Sequence, residues 1–584
     1  MTSFQRGAAD DSAKPVSAGR IDALRLRPVV PPAVNAKPLV PPPSGQLFYG
    51  DNLDILRERV ADESVDLIYL DPPFNSNANY NVLFRSPAGS GSQAQIEAFE
   101  DTWHWGQEAE SALDQVMRSG NTDAADLLRA MRGFLGENDM MAYLAMMAIR
   151  LIELHRVLKD TGSLYLHCDP TASHYLKLLM DGVFGAECYR NEIVWRRTTT
   201  HSDSKTWSKV ADTILFYTKG SGRDFTWNTP RETHTAEYLE TKYRYKDADG
   251  RVYRLHDMTS PNPRPNMTYV WRGFPPPPKG WRFSEETMTK LDSEGRIVYP
   301  LRKDGSLDTT KRPQIKRYLD EMSGGGVMGT VWSDISPINS QAQERLGYPT
   351  QKPLALLERI IAASSNPNDV VLDPFCGCGT AIHAAQKLGR RWLGIDITHL
   401  AISLIERRLK DAFPGIAFEV HGTPQDLDGA RDLAQRDKYQ FQWWALSLIE
   451  AQPYAGKKKG ADSGIDGLIY FRSDAKTTER AIVSVKGGDN VSVPMVRDLK
   501  GVLDREKAPI GVFLTLAPPT RPMEKEAAAA GFYTLGDRQY PRLQIITVEQ
   551  ALNGAKPAIP LVDAGAAFKR AARERADTQS KLDL

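Results

Sequence analysis

The sequence predicts an α/β protein organised around a doubly wound parallel sheet, with an inserted module and a second, smaller α/β domain downstream. Three observations carry that expectation. Two short apolar runs, 64–70 and 368–372, each end in an acidic residue followed by a turn, Asp71-Pro72-Pro73-Phe74 and Asp373-Pro374-Phe375. Such runs are the mark of strands buried on both faces and feeding loops. Stretches of helical apolar spacing alternate with further strand-like runs, as βαβ units require. Between about Lys219 and Val331 the alternation fails and afterwards resumes, which marks an insertion.

Length and composition bound the rest. A chain of 584 residues exceeds one ordinary domain, at about 150 residues per unit. Its 41% hydrophobic and 25% charged residues are those of a soluble globular protein. No run approaches the roughly 18 uncharged apolar residues that a membrane span needs, so no membrane partner is expected. The amino terminus has acidic residues and no apolar segment, unlike a secretory signal or a transit peptide, and cytoplasmic residence is expected. Cys168, Cys188, Cys376 and Cys378 are too few and too unevenly placed for a disulfide framework and read as free thiols in a reducing compartment. With 74 Lys+Arg against 73 Asp+Glu the net charge of +1 predicts no polyanionic partner. A local basic groove still can, because counterion release depends on the few cations that touch phosphate.

In chain order, residues 1–44 contain Pro28, Pro31, Pro32, Pro38 and the run Pro41 to Pro43 without apolar periodicity, and read as an extended or disordered arm. Residues 45–219 begin the doubly wound domain. Within them Met140 to Lys159 has helical spacing, Gly162 lies just past its end, and Ser163 to His167 reads as the next strand. Residues 220–330 form the insert and 331–422 complete the domain, with a strand at 368–373, a helix from Ala381 and a strand at 391–396. Residues 423–562 are a further α/β unit, opening on the helix-like run 441–450, and 563–584 are a charged tail. No repeat at a fixed period is present.

Asp71 to Phe74 stand at the carboxyl end of their strand, where open α/β sheets place reactive loops. A nucleobase amine is a weak nucleophile because its lone pair is delocalised into the ring, and its catalyst needs acceptors for both N–H groups. The Asp71 carboxylate and the Pro72 carbonyl provide two. Pro73 has no N–H to compete, both prolines stiffen the loop, and Phe74 offers a flat face on which a base can stack. The bland alternative is a plain Asp-Pro-Pro turn.

In Asp373-Pro374-Phe375-Cys376-Gly377-Cys378-Gly379-Thr380 the two glycines permit a sharp turn and close approach to a ligand. Alone, G-x-G fits any nucleotide site or an ordinary strand-to-helix turn. Asp396, about 20 residues beyond the glycines at the end of the next strand, adds an acceptor for ribose hydroxyls. No G-x-x-x-x-G-K-[ST] string and no third glycine in register are present, which disfavours ATP and NAD. The single C-x-C pair does not make a metal site.

With these motifs in this order the chain resembles the β-group DNA amino-methyltransferases, acting on adenine N6 or cytosine N4. The resemblance covers roughly residues 45–422, supported by Tyr49-Gly50-Asp51-Asn52, Asn191 to Trp195 and Tyr348-Pro349-Thr350-Gln351-Lys352-Pro353. It implies a Rossmann-like, S-adenosylmethionine-dependent methyltransferase domain with an inserted target-recognition module. It also implies that Asp71, Pro72, Pro73 and Phe74 hold the target base. Asp51, Asp373, Pro374, Phe375, Gly377, Gly379, Thr380 and Asp396 are implied to bind S-adenosylmethionine, with Thr350, Gln351 and Lys352 near its methionine end. An aspartate at position 71 goes more with adenine N6 than with cytosine N4. The partners implied are double-stranded DNA and, as an arrangement left open, a second copy of the chain.

The insert concentrates Tyr243, Arg244, Tyr245, Lys246, Arg251, Tyr253, Arg254, Trp271, Arg272, Trp281, Arg282, Lys311, Arg312, Lys316 and Arg317. Arginines read guanine edges and phosphates, and aromatics can fill the gap left by a flipped base; the competing reading makes the aromatics the module's own core. Farther on, Gly464-Ile465-Asp466-Gly467 opens a strand, and a second strand, 481–486, ends in Lys486. This resembles an Mrr-type restriction-endonuclease domain over about 435–545, with Glu450 as a further ligand. The resemblance implies Mg²⁺ at Asp466 and a lysine that orients water. Ser484 departs from the acidic residue usual two positions before the lysine, so an inactive fold that binds DNA stays an alternative. The leading expectation is an adenine-N6 DNA methyltransferase. Its rivals are a fused restriction-modification enzyme that also cuts DNA, a cytosine-N4 enzyme, and a DNA-binding protein with both folds decayed.

Overall fold

The computed structural model describes residues 45–73, 103–200, 205–232, 236–321, 326–339, 342, 344–346, 348, 350–454, 464–473, 477–560 and 573–574, and the backbone alone of 79–85 and 91–100. The proline-rich arm, Phe74, Pro349 and most of the charged tail lie outside the described residues.

The main sheet is built from β1 (Gly45–Tyr49), β2 (Val65–Leu70), β3 (Leu158–Cys168), β4 (Tyr189–Arg196), β5 (Ala211–Thr218), β6 (Val331–Trp332), β7 (Val370–Asp373), β8 (Arg391–Asp396) and β9 (Glu419–His421). Their spatial order is β6-β4-β5-β3-β2-β7-β8-β1-β9. Every pairing is parallel except those of β5 with β4 and with β3. From β2 the chain proceeds outward to β3, and from β7 it proceeds the other way to β8. The two strands lie side by side, Leu67 opposite Val371 and Ile68 opposite Leu372. This reversal of strand order is the switch point at which doubly wound sheets open a crevice beyond their carboxyl ends.

Helices cover both faces. Alternate residues of β2 enter different cores: Ile68 and Leu70 pack with α1 (Asn52–Arg59) and α2 (Asp139–Val157). Leu67 and Tyr69 pack with α3 (Leu354–Ser364), α4 (Thr380–Lys387) and α5 (His399–Ala412). The period of two sends successive side chains to opposite faces, and here both faces are dry. α2 starts where Asn138 accepts from the Met141 N–H and stops at Val157. The strand that follows begins at Leu158 and takes in Gly162, earlier than the expected start at Ser163. A register shift between Val65 and Leu67 lets Leu158 pair before Ser163 does, so pairing captures residues that helical spacing had claimed.

The inserted module carries a four-stranded antiparallel sheet, with Gln314–Tyr318 and Val252–Asp257 at its centre. Its small core contains Met258, Trp271, Phe274, Trp281, Met288, Ile297 and Ile315. Just after β5, Phe225 and Trp227 pack on Phe216 of the main sheet. The second α/β unit holds a mixed five-stranded sheet, in which the Gln452–Pro453 strand, β10 (Gly467–Arg472), β11 (Thr478–Lys486), β12 (Ile510–Thr515) and β13 (Leu543–Thr547) follow in that order. Apolar clusters cover both of its faces, and α6 (Lys438–Leu448) belongs to the first of them. No helix among the described residues is long and apolar enough to cross a membrane.

Candidate active site at the carboxyl ends of β2 and β7

The loops after β2 and β7 open onto one cavity of about 260 Å³. Asp71, Pro72 and Pro73 line it from one side; Asp373, Pro374, Phe375, Gly377 and Thr380 line it from the other. Asp51, Thr350, Lys352 and Asp396 complete the expected set on its wall. Gln351 and Gly379 are not on the wall and act one step behind it. Gln351 accepts from Leu346 N (2.8 Å) and donates to the Glu344 carbonyl (2.6 Å), stapling the loop that carries Thr350 and Lys352.

Gly379 caps α4 with φ +73°, and a Cβ there would come within 2.7 Å of Ile405 Cγ1. Only glycine meets both the left-handed backbone and that approach. Gly377, at φ +49°, donates its N–H to Asp396 Oδ2 (2.9 Å). Asp396 Oδ1 accepts from the Thr398 N–H (2.9 Å) and hydroxyl (2.8 Å). Burial pushes the Asp396 carboxyl up to about 6, opposed by these donors. Asp373 is buried and accepts from the Phe375 N–H (3.1 Å), which closes the turn; burial raises its carboxyl well above the usual range.

The Lys352 ammonium pairs with Asp71 Oδ2. Asp71 Oδ1 is buried and has no hydrogen-bond partner among the described residues. A carboxylate oxygen in that state is an acceptor waiting for a donor, because an unmet buried acceptor is costly.

Several wall residues have no role assigned from the sequence, Asn52 and Tyr348 standing only as members of the quoted motifs. Arg150, 5% exposed in the middle of α2, donates from Nη2 to Asp51 Oδ2 (2.8 Å) and from Nε to Asn52 Oδ1 (2.6 Å). Asn52 Nδ2 then holds the Pro374 carbonyl (2.9 Å). Asp51 also caps α1 through Leu53 N (2.7 Å), so it ties β1, α1 and α2 together at the cavity edge. An arginine inside the otherwise apolar run Met140 to Ile152 was the available signal. Tyr69, Trp103 and Tyr348 bring aromatic surface to the wall. Tyr69 hydrogen-bonds His167 Nδ1 (2.9 Å), and His167 Nε2 meets Asp212 Oδ2 (3.2 Å).

In the insert, Trp271, Trp281 and Tyr243 are buried, which is the competing reading for those three aromatics. Arg251, Arg272, Lys311 and Lys316 are paired with carboxylates. Arg282 and Arg317 have no ion pair among the described residues. Burial, followed by the nearby charges of Arg296, Arg282 and Arg254, lowers the Arg317 guanidinium from its ordinary value.

In the second α/β unit Asp466 accepts from the Val485 N–H (2.7 Å), the Ser484 hydroxyl (3.3 Å) and Gln442 Nε2 on α6 (3.0 Å). Lys486 stands two residues after Ser484 on β11, so their side chains share a face. Glu450 is not brought to Asp466. The pairing of Gln452 with Leu468 and Pro453 with Gly467 brings the chain to Asp466 only at Tyr454, whose N–H donates to the Asp466 carbonyl (2.8 Å), and Glu450, at the other end of this stretch, pairs with Lys556 instead (3.0 Å). Gln442, which the sequence reading did not single out, stands where the helix meets Asp466. The residues gathered here fit a resident Mg²⁺ poorly: among the described residues Gln442 and Ser484 bring no second anion to stand beside the Asp466 carboxylate. No group of three or more His, Cys, Asp or Glu among the described residues could hold a metal, and all four cysteines are free and buried.

A family model described as DNA methylase matches residues 65–407, and one described as restriction endonuclease matches residues 433–540. The chain is 29% identical to the type II methyltransferase M.EcaI of Enterobacter cloacae, over 63% of this chain and 69% of that protein. It is 28% identical to the StyLTI Mod subunit of a Salmonella typhimurium type III restriction-modification enzyme, over 58% of this chain and 49% of that subunit. Over 83 residues it is 48% identical to the DNA adenine methyltransferase YhdJ of Escherichia coli K12, which is 14% of this chain and 28% of that protein.

Proposed function

This chain belongs to the DNA methylase family, whose model spans residues 65–407, and from that premise we propose that it transfers a methyl group from S-adenosylmethionine to the exocyclic N6 of adenine in double-stranded DNA. The observation that carries the reading is the single cavity onto which both acidic turns open, with Asp71 Oδ1 buried at its wall and unpartnered among the described residues.

The residues present fit the cofactor. Gly377 leaves room for close approach, Asp396 supplies an acceptor for ribose hydroxyls, and Phe375 and Tyr348 supply flat apolar surface. Asp51, Thr350, Asp373, Pro374 and Thr380 complete the enclosure, while Gln351 and Gly379 fix the loops from behind. When bound, S-adenosylmethionine supplies an electrophilic methyl group on a sulfonium, so no nucleophilic cysteine is needed. Asp71 accepts one N–H of the amine at Oδ1 while Lys352 steadies Oδ2. The Pro72 carbonyl accepts the other N–H, and Pro73 has no N–H to compete for it. Two acceptors draw the amine lone pair out of conjugation and aim it. The target base must leave its stack to arrive there, and Phe74 stacks on it. The insert grips DNA through Arg254, Arg282 and Arg317. Cytoplasmic residence matches a substrate that is genomic or invading DNA.

A second reading, cleavage by the carboxyl-terminal domain, is favoured by the match of residues 433–540 to a restriction endonuclease model. The donors already on Asp466 weigh against it. Tritiated S-adenosylmethionine with unmodified plasmid tests the main reading. Label in N6-methyladenine, lost in Asp71→Ala, supports it; label in N4-methylcytosine moves the target base, and an unlabelled plasmid overturns it.

A further inference from the structure

Behind the glycine loop lies a buried cation. Arg408 on α5 is 4% exposed, and its Nη1 donates to the Cys378 carbonyl (3.0 Å) and the Thr380 hydroxyl (3.1 Å). Both residues line the cavity. Arg408 Nε donates to His383 Nδ1 at 3.2 Å. A guanidinium can only donate, so His383 Nδ1 carries no proton and the ring hydrogen is on Nε2. That Nε2–H points to Glu574 Oε1 at 3.0 Å. Burial first, and Arg408 second, push His383 down to about 4, which keeps the imidazole neutral at physiological pH.

Glu574 comes from the charged tail beyond the second α/β unit. Its backbone N–H donates to the Ala412 carbonyl at the end of α5 (3.0 Å), and Lys387 lies 3.4 Å from its other oxygen. Burial opposes ionisation of Glu574, but the His383 N–H and Lys387 outweigh it and hold the carboxyl below its ordinary value. A buried guanidinium without an opposite charge is strongly destabilising. The carboxylates acting on Arg408 are Glu344, the larger influence, and Glu574, which reaches it through the hydrogen bonds of His383.

We propose that Glu574 is a positioning residue for the cofactor loop: through neutral His383 it gives Arg408 a counter-charge, and Arg408 in turn holds Cys378 and Thr380 in the conformation that binds S-adenosylmethionine. The tail thus belongs functionally to the methyltransferase domain, although the endonuclease-like unit separates the two in sequence. This rests on the reading of the cavity as the S-adenosylmethionine site.

The test is calorimetric titration of S-adenosylmethionine into the full chain and its E574A and E574Q variants, with kcat measured at saturating cofactor and a thermal melt of each. E574A is expected to raise the cofactor Kd at least tenfold while kcat changes less than threefold. E574Q keeps an oxygen for the His383 N–H but loses the charge, and falls between; it also carries the test if E574A does not fold. E358Q removes a different partner of Lys387, 2.9 Å away, and leaves the Kd unchanged. An E574A Kd within twofold of the parent, whatever its melting temperature, overturns the proposal. A parent chain that binds no S-adenosylmethionine overturns the cavity reading instead.

Discussion

The Lys352 ammonium holds one carboxylate oxygen of Asp71, 281 residues away in the chain, and leaves the other buried without a partner among the described residues. The pair joins the strand that presents the reactive turn to the loop ahead of α3. It also divides the labour of one carboxylate, with one oxygen fixed and the other open.

Asp71→Asn replaces an acceptor by a donor and is expected to lower single-turnover methyl transfer by at least about 10²- to 10³-fold. Lys352→Met leaves the acceptor but frees its orientation, and should cost about 10²-fold. Cofactor Kd stays within a few-fold in Asp71→Asn. A parallel collapse of cofactor binding would assign Asp71 to the cofactor and not to the base.

Asp396 should make cofactor binding pH-dependent. Burial raises its carboxyl to about 6, so the unliganded protein still holds this proton in mildly acid solution. Ribose hydroxyls donate best to the ionised form. Binding therefore releases a proton near pH 6, and affinity weakens as pH falls from 7 to 5. Calorimetry in buffers of different ionisation enthalpy measures the release, and Asp396→Asn should reduce both effects, leaving what the raised Asp373 carboxyl on the same wall contributes.

Gly379→Ala combines a left-handed backbone with a 2.7 Å approach to Ile405. The expected cost is about 2–4 kcal/mol, seen as a melting temperature lower by several degrees, together with weakened cofactor binding. A variant as stable as the parent would mean that the turn has another accessible conformation.

Arg282 and Arg317 carry positive charge without an ion pair among the described residues, beside Arg254 and Arg296. Replacing both by alanine should raise the KM for DNA at least tenfold, with little change in kcat at saturating DNA. The dependence of log K on log salt should flatten by roughly one for each phosphate that is no longer neutralised. An unaltered salt slope would place the DNA path elsewhere.

The donors on Asp466 predict that Asp466→Ala destabilises the carboxyl-terminal domain by about 1–3 kcal/mol, because Gln442 and the Val485 N–H lose their acceptor. Incubation of plasmid with Mg²⁺ should leave it intact. Nicking by the parent chain that disappears in Lys486→Ala would restore the endonuclease reading.

Much of this was legible without coordinates because it depends on local sequence. The apolar runs before Asp71 and Asp373 are strands buried on both faces, and such strands announce themselves by lacking alternation. The glycines at 377 and 379 and the acid at 396 keep fixed spacings within one βαβ unit, so their roles could be read from order alone. Arg150, Arg408 and His383 escaped notice because a buried charge in a helix looks like a surface charge until its partners are known. The resemblance to Mrr-type domains implies Glu450 as a further ligand beside Asp466, whereas the pairing register of residues 452–453 leaves it to pair with Lys556.

The sequence by itself determined the doubly wound α/β class, the position of the insert and the two acidic turns, since periodicity and turn chemistry are set by neighbours a few residues apart. Only the tertiary structure decided that β2 and β7 lie side by side, that Lys352 meets Asp71, and that Glu574 reaches the glycine loop through His383 and Arg408. Those relations span hundreds of residues, and they exist because parallel strand order and the burial of unlike charges bring distant segments together.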